Sequence, residues 1–293
     1  MNKIFFKKLF SEIFIRKIKH LLFIITNKFN GKFVNGFLVN TGNYKYIVPE
    51  KDMFVGYSLR HKGFYGKDEF NRIKSLINSN SKVIFIGAHI GSLSIPTSKH
   101  VKEVICIEAN PDTYELLNYN LILNKINNCI TYNIAIGEKE GKIDFLKNSI
   151  NSGGSKRKPH IKNKIYYYDK PKIIKVQMTT LDKLLSNKIE FYDFVYIDIE
   201  GSEYFALNGM SETIKRIKSL VIEFFPHHLK NVSNTSVSNF FMLIKKHFNY
   251  CYVPSKNIYL TKNDFIKFFE EMYNNNENDD GLIFSNHQIN FNK

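Results

Sequence analysis

Strand-length apolar runs recur along this chain with helix-length segments between most of them, and that alternation restricts the fold more than any other feature. Strands are predicted at 82–86, 103–108, 129–134, 192–198, 218–224, 248–253 and 280–285. Val83-Ile84-Phe85-Ile86 and Phe194-Val195-Tyr196-Ile197 contain no charged or amide side chain. Both faces of such a strand must be covered, as in a parallel sheet held between helices. Helical spacing is predicted over 91–100, 112–124, 180–187, 204–217, 233–247 and 262–273,. The expectation is an α/β fold with a mostly parallel seven-stranded sheet, helices on both faces, and a small N-terminal extension.

Three departures from this rhythm divide the chain. Residues 1–30 interleave lysines and arginine with Phe6, Phe10, Ile13, Phe14, Ile18 and Leu21 at helical spacing, which predicts a basic amphipathic helix able to rest on an anionic membrane surface or to dock on protein,. No run of about 18 apolar residues is present for a spanning helix, and Leu21 to Ile25 is too short and too charged in its surroundings for a secretory leader,. Residues 31–66, with six glycines and several aromatics, read as an irregular cap. The main domain is expected over 67–293, interrupted at 137–178 by an inserted excursion that carries the basic loop Ser152-Gly153-Gly154-Ser155-Lys156-Arg157-Lys158. Backbone N–H groups and three cations there could cradle a phosphate or carboxylate.

The chemistry-bearing residues fall at the ends of predicted strands. Gly87-Ala88-His89-Ile90-Gly91 follows the first, where glycine permits a tight turn and small residues let a ligand approach the main chain,. The spacing is G-A-x-x-G, which a dinucleotide fingerprint (G-x-G-x-x-G) does not match. Glu108 closes the next run about 20 residues on, where a carboxylate can accept both hydroxyls of a ribose. Asp198, Glu200 and Glu203 crowd around Gly201 on the same rim; crowded carboxylates raise one another's pKa, which suits a general base. Alternatively, Glu203 is a helix N-terminal acid favoured by the dipole. Glu223 ends another strand and precedes His227 and His228, of which His227 is the candidate base,. Cys106, Cys129 and Cys251 are scattered in apolar contexts and read as buried small residues in a reducing compartment,. No residue is assigned to a metal.

In this order, Gly87-Ala88-His89-Ile90-Gly91, Glu108-Ala109-Asn110-Pro111, Thr180-Leu181-Asp182, Asp198-Ile199-Glu200-Gly201-Ser202-Glu203 and Glu223 resemble the FkbM family of methyltransferases over roughly residues 60–230. The resemblance implies a class I, Rossmann-like methyltransferase fold and S-adenosyl-L-methionine as cofactor. It implies that Gly87, Ala88, His89 and Gly91 line the methionine end, that Glu108 and Ala109 border the ribose, and that Asn133 to Ala135 border the adenine. Asp198 and Glu200 would face the methyl-transfer site. Two positions depart from the family pattern: Phe85 stands in place of its aspartate and His89 in place of its asparagine. Tyr196 also replaces a lysine often found before the I-D pair.

The leading expectation is an O-methyltransferase acting on a sugar hydroxyl of a glycan or glycolipid, with Asp198, Glu200 and His227 at the transfer site. The formal net charge of +15 favours an acidic or membrane-linked acceptor, with residues 1–30 as the candidate for peripheral contact at the inner face of a membrane,. The compartment read is cytoplasmic. Nucleic acid is disfavoured because an acidic rim repels phosphate. Two alternatives stay open: a nucleic-acid methyltransferase, prompted by the charge, and a catalytically inactive adaptor in which Phe85 fills the methionine pocket.

Overall fold

A computed structural model describes residues 33–188 and 190–289, together with Ile18 and Leu21. The basic helix expected over 1–30 lies outside the described residues except at those two positions. Strands are numbered in chain order. A hairpin of β1 (Gly36–Asn40) and β2 (Lys45–Pro49) precedes a helix at Val55–Lys62 and another at Lys67–Leu76. The main sheet then begins with β3 (Lys82–Ile86), β4 (Glu103–Ile107) and β5 (Cys129–Tyr132). A smaller sheet holds β6 (Ala135–Ile136), β7 (Gly141–Lys147), β8 (Lys156–Arg157) and β9 (Lys172–Thr179). The main sheet resumes with β10 (Tyr192–Ile197) and β11 (Ile217–Phe224), and ends with β12 (Tyr250–Val253), β13 (Ile258–Thr261) and β14 (Asp279–Ser285).

Eight strands, not seven, form the main sheet, in the order β13-β12-β14-β11-β10-β3-β4-β5. The five from β5 to β11 are parallel, and β14 enters antiparallel to β11. The additional member is β13, a short edge strand that folds back on β12 through a tight turn at Asn257, with Val253 opposite Ile258. From β3 the chain runs outward to β4 and β5, then returns across β3 to β10. The carboxyl ends of β3 and β10 therefore part company, and this reversal of strand order is where open α/β sheets place ligands.

Side chains alternate between two cores, as the period of a strand requires. Ile84, Ile86, Val195 and Ile197 pack with the helices Val237–Lys245 and Phe265–Asn274, where Phe241 stacks on Phe269 at 4.0 Å. Val83, Phe85, Phe194 and Tyr196 pack on the other face with Val55, Ile73, Ile95 and Leu117. The helix predicted over 204–217 is broken: it spans Glu203–Asn208 and resumes as a 3-10 turn at Thr213–Arg216. The break falls at Gly209, where an added Cβ would lie 1.9 Å from the Gly137 carbonyl oxygen, so the small sheet presses against the helix end. The helix predicted over 91–100 is likewise reduced to Ser94–Ser98. Among the described residues no helix is long and apolar enough to cross a membrane.

Candidate active site

A pocket of about 170 Å³ opens at the carboxyl ends of β3, β4 and β10 and extends under the small sheet. Of the residues singled out in the sequence, Gly87, Ala88, His89, Glu108, Ala109, Ala135, Asp198 and Glu200 line it. Gly91, Asn133 and His227 do not. Gly91, at φ +90°, lies against Ile95 and Leu117 and serves the packing of the following helix. The Asn133 amide donates to the Glu108 carbonyl oxygen at 2.8 Å, which ties the end of β5 to the end of β4.

Gly87 is held by its surroundings as well as by its φ of +91°. A Cβ there would sit 1.8 Å from the Asp198 carbonyl oxygen, so the turn after β3 and the acidic loop after β10 are in main-chain contact,. Glu108 is fixed by two backbone donors: His89 N–H reaches Oε2 and Asn110 N–H reaches Oε1, each at 2.8 Å. Each carboxylate oxygen retains a lone pair, enough to accept from a diol. The wall beyond it is apolar, with Ile134, Ala135, Ile136, Phe145 and Met178. These groups fit the ribose and base of S-adenosylmethionine.

His89 adopts φ +52° and is buried. Its Nε2 lies 2.7 Å from Ser152 Oγ, and Ser152 donates both its hydroxyl and its N–H to Asp52 Oδ2. Because Asp52 takes the Ser152 hydroxyl proton, Ser152 Oγ must accept from His89 Nε2–H. Burial lowers the His89 pKa, so the ring is neutral and Nδ1 carries a lone pair,. Nδ1 is buried and has no partner among the described residues. Replacing Ser152 by alanine is expected to cost about 1–3 kcal/mol in a denaturant melt, because Asp52 and His89 each lose a buried partner. An unchanged melt would show that the relay contributes nothing.

Phe85 is one of the residues that line the pocket, its ring 5.9 Å from Phe194 and 5.7 Å from Tyr196. The register of β3 on β10 sets Phe85 directly beside Tyr196. The departures from the FkbM pattern at Phe85 and Tyr196 are therefore neighbours across the β3–β10 pairing.

The rim is more acidic and more internally paired than the sequence suggests. Burial, and after it the negative Glu200, hold the Asp198 carboxyl well above its ordinary range. Burial also raises Glu223 strongly, with Asp198 next among the causes. Burial would raise Glu200 too, but Lys156 at 2.7 Å and His228 at 3.3 Å overrule it and hold it well below the usual carboxylate range. Glu203 is pushed up to about 7 by burial, although its Oε1 accepts N–H bonds from Ile199 and Gly201, a structural task at the start of its helix.

His228, not His227, meets this cluster; burial and Lys156 lower its pKa to about 4. His227 lines a neighbouring cavity together with Glu200, Glu223 and His228, and its Nδ1 lies 2.9 Å from the Tyr166 hydroxyl. The basic run also differs from the anion cradle expected of it. Lys156 pairs with Glu200, Arg157 with Glu138, and Lys158 with Asp144, so each cation has an acidic partner. The pairings of Lys156, His228, Ser152 and Asp52 were not assigned from sequence, since their partners stand 28 to 100 residues away.

The sequence model of the methyltransferase FkbM domain matches residues 86–252. The tRNA (guanine(37)-N(1))-methyltransferase of Plasmodium vivax (strain Salvador I) is 32% identical over 137 residues, which are 44% of this chain and 20% of that protein. A probable ribosomal RNA small subunit methyltransferase A of Methanosphaera stadtmanae is 26% identical over 166 residues, 53% of this chain and 59% of that one. The chain spans about a fifth of the length of the tRNA methyltransferase relatives it matches. Among solved structures, a methyltransferase FkbM from Methylobacillus flagellatus KT aligns with TM-score 0.38 at 15% identity, covering 71% of this chain and 44% of that chain.

Proposed function

From the premise that this chain belongs to the FkbM family of methyltransferases, we propose that it O-methylates a hydroxyl of a sugar in a glycan, glycolipid or related metabolite. The methyl donor is S-adenosylmethionine, which supplies an electrophilic methyl group on a sulfonium. The observation that carries the hydroxyl reading is the carboxylate rim: Asp198, Glu200 and Glu223 all line the pocket, and Asp198 and Glu223 both have a raised proton affinity with no cationic partner in hydrogen-bond contact; we assign the base to Asp198, whose loop touches the glycine turn after β3. In its ionised form Asp198 would take the proton of the acceptor hydroxyl as that oxygen receives the methyl group, which a bound donor would release with the bonding pair left on its sulfur. Glu200, clamped by Lys156, stays ionised and positions the rim.

In this reading Glu108 holds the ribose and Gly87 and Ala88 leave room for the methionine end. The His89 Nδ1 lone pair, set by Asp52 through Ser152, would accept from the ammonium group of a bound donor,. In-line alignment supplies most of the rate, because attack on a sulfonium methyl needs little acid–base help.

A second reading is favoured by one observation: the curated relatives are named for methylation of tRNA and ribosomal RNA. The net charge of +15 agrees with it,. The two separate in one assay. With methyl-labelled S-adenosylmethionine and the full chain, the expected product is a methyl ether released on sugar analysis of extracted polysaccharide or glycolipid. Label in RNA and none in saccharide would sink the sugar reading.

A further inference from the structure

Next to the donor pocket lies a second cavity of about 180 Å³ that shares Glu200 and Glu223 with it as walls. Three polar atoms of its lining residues are buried and have no hydrogen-bond partner among the described residues: Asn148 Oδ1, Glu223 Oε2 and His228 Nδ1. Leaving such atoms unpaired costs about 1–3 kcal/mol each, so ordered water or a ligand hydroxyl that bonds them is favoured beside this cavity. Two of them, His228 Nδ1 and Glu223 Oε2, stand 4.0 Å apart, too far for a direct bond,. A hydroxyl between them can donate to one and accept from the other, whichever of the two carries the proton. The remaining walls include the rings of Tyr166 and Phe225, the latter centred 5.2 Å from His228.

We propose that this cavity seats the acceptor, and that the acceptor is a neutral polyhydroxylated ring: its apolar face lies on Tyr166 and Phe225 while its hydroxyls satisfy Asn148, Glu223 and His228. The shared wall at Glu200 and Glu223 then delivers one hydroxyl to the donor pocket. Lys156 also lines the cavity, but its ammonium is held by Glu200 at 2.7 Å and lies over the Tyr166 ring, which leaves it little to offer a phosphate. The inference rests on the sugar reading above and narrows it to an uncharged residue of the glycan, despite the basic composition of the chain.

The test uses the full chain saturated with S-adenosylhomocysteine, titrated with methyl α-D-glucopyranoside, methyl α-D-galactopyranoside and methyl α-D-mannopyranoside by saturation-transfer NMR. At least one glycoside is expected to bind, with affinity about tenfold weaker in Phe225→Ala and in Tyr166→Leu. The affinity of each variant for S-adenosylhomocysteine is expected to be unchanged, which shows that the donor half is folded. Glycoside affinity unaltered in both variants would overturn this seat while leaving sugar methylation standing. No glycoside binding at roughly 50 mM, with an RNA oligonucleotide bound instead, would overturn the seat and the sugar reading together.

Discussion

Exchanging Asp198 for asparagine is expected to slow methyl transfer by about 10²–10⁴-fold, the range for loss of a positioned general base, while stabilising the fold. Both effects come from one carboxyl. Asn keeps the size and the loop geometry set by the Asp198 N–H bond to the Ile86 carbonyl, so donor binding should persist. The stability effect follows from the direction of the shift. The folded-state pKa of Asp198 lies above its unfolded value, so its favourable contribution is complete below the ordinary carboxylate range and is lost as pH rises toward the folded value,. At neutral and higher pH the aspartate is therefore a burden that asparagine removes. Glu223, raised in part by Asp198, is relieved as well. Urea melts at pH 6 and pH 9 should show a gain in stability for the variant, larger at pH 9,. In the wild type, turnover should rise with pH as Asp198 loses its proton. Full activity in Asp198→Asn would remove it from the mechanism.

The second large effect is expected at Phe85. Restoring the family's aspartate there should destabilise the chain by about 4 kcal/mol, the cost of emptying a buried aromatic site and of placing an unpaired carboxyl in it. The acid would face Tyr196 and Phe194 with no cation on the adjacent strand. Phe85→Asp combined with Tyr196→Lys should recover at least about 1 kcal/mol, since the register sets the two side by side,. Denaturant melts of the two single variants and the double variant measure that coupling. Strict additivity would mean that the two positions are independent. Cofactor titration of the same set asks whether a carboxylate at position 85 improves on the His89 arrangement. With the Ser152 relay already in place, no gain is expected for Phe85→Asp alone.

Much of the fold was legible because strands buried on both faces cannot hide their composition. Each of the seven runs predicted as strands lies in the main sheet, and β3 and β10 end where the glycine turn and the acidic run mark them. The eighth strand was missed for the opposite reason: Ile258–Thr261 is a half-exposed edge, and its signal is only the Pro254-Ser255-Lys256-Asn257 turn before it. The broken helix at Gly209 was not legible, because apolar period continues past it and the obstacle is the backbone of Gly137, 72 residues away in sequence. The site divided along the same line. Gly87, Glu108 and Asp198 announce themselves by following strands. Lys156 read as one of three cations of an anion cradle, and only the folded small sheet brings it to Glu200. Between His227 and His228 the choice is made by a single turn at Pro226–His228, which no periodicity resolves.

The contact between Gly87 and the Asp198 carbonyl has a consequence for descent. A lineage with this fold is free to rework its acceptor, its cap and even the pair at 85 and 196, provided the two change in concert. Position 87 offers no such path. Any side chain there would push the loop that carries Asp198 outward, so one inherited change would spoil the donor end and the acceptor end at once. Drift at that glycine is closed from both sides, and homologues of new specificity are expected to differ almost anywhere before they differ there.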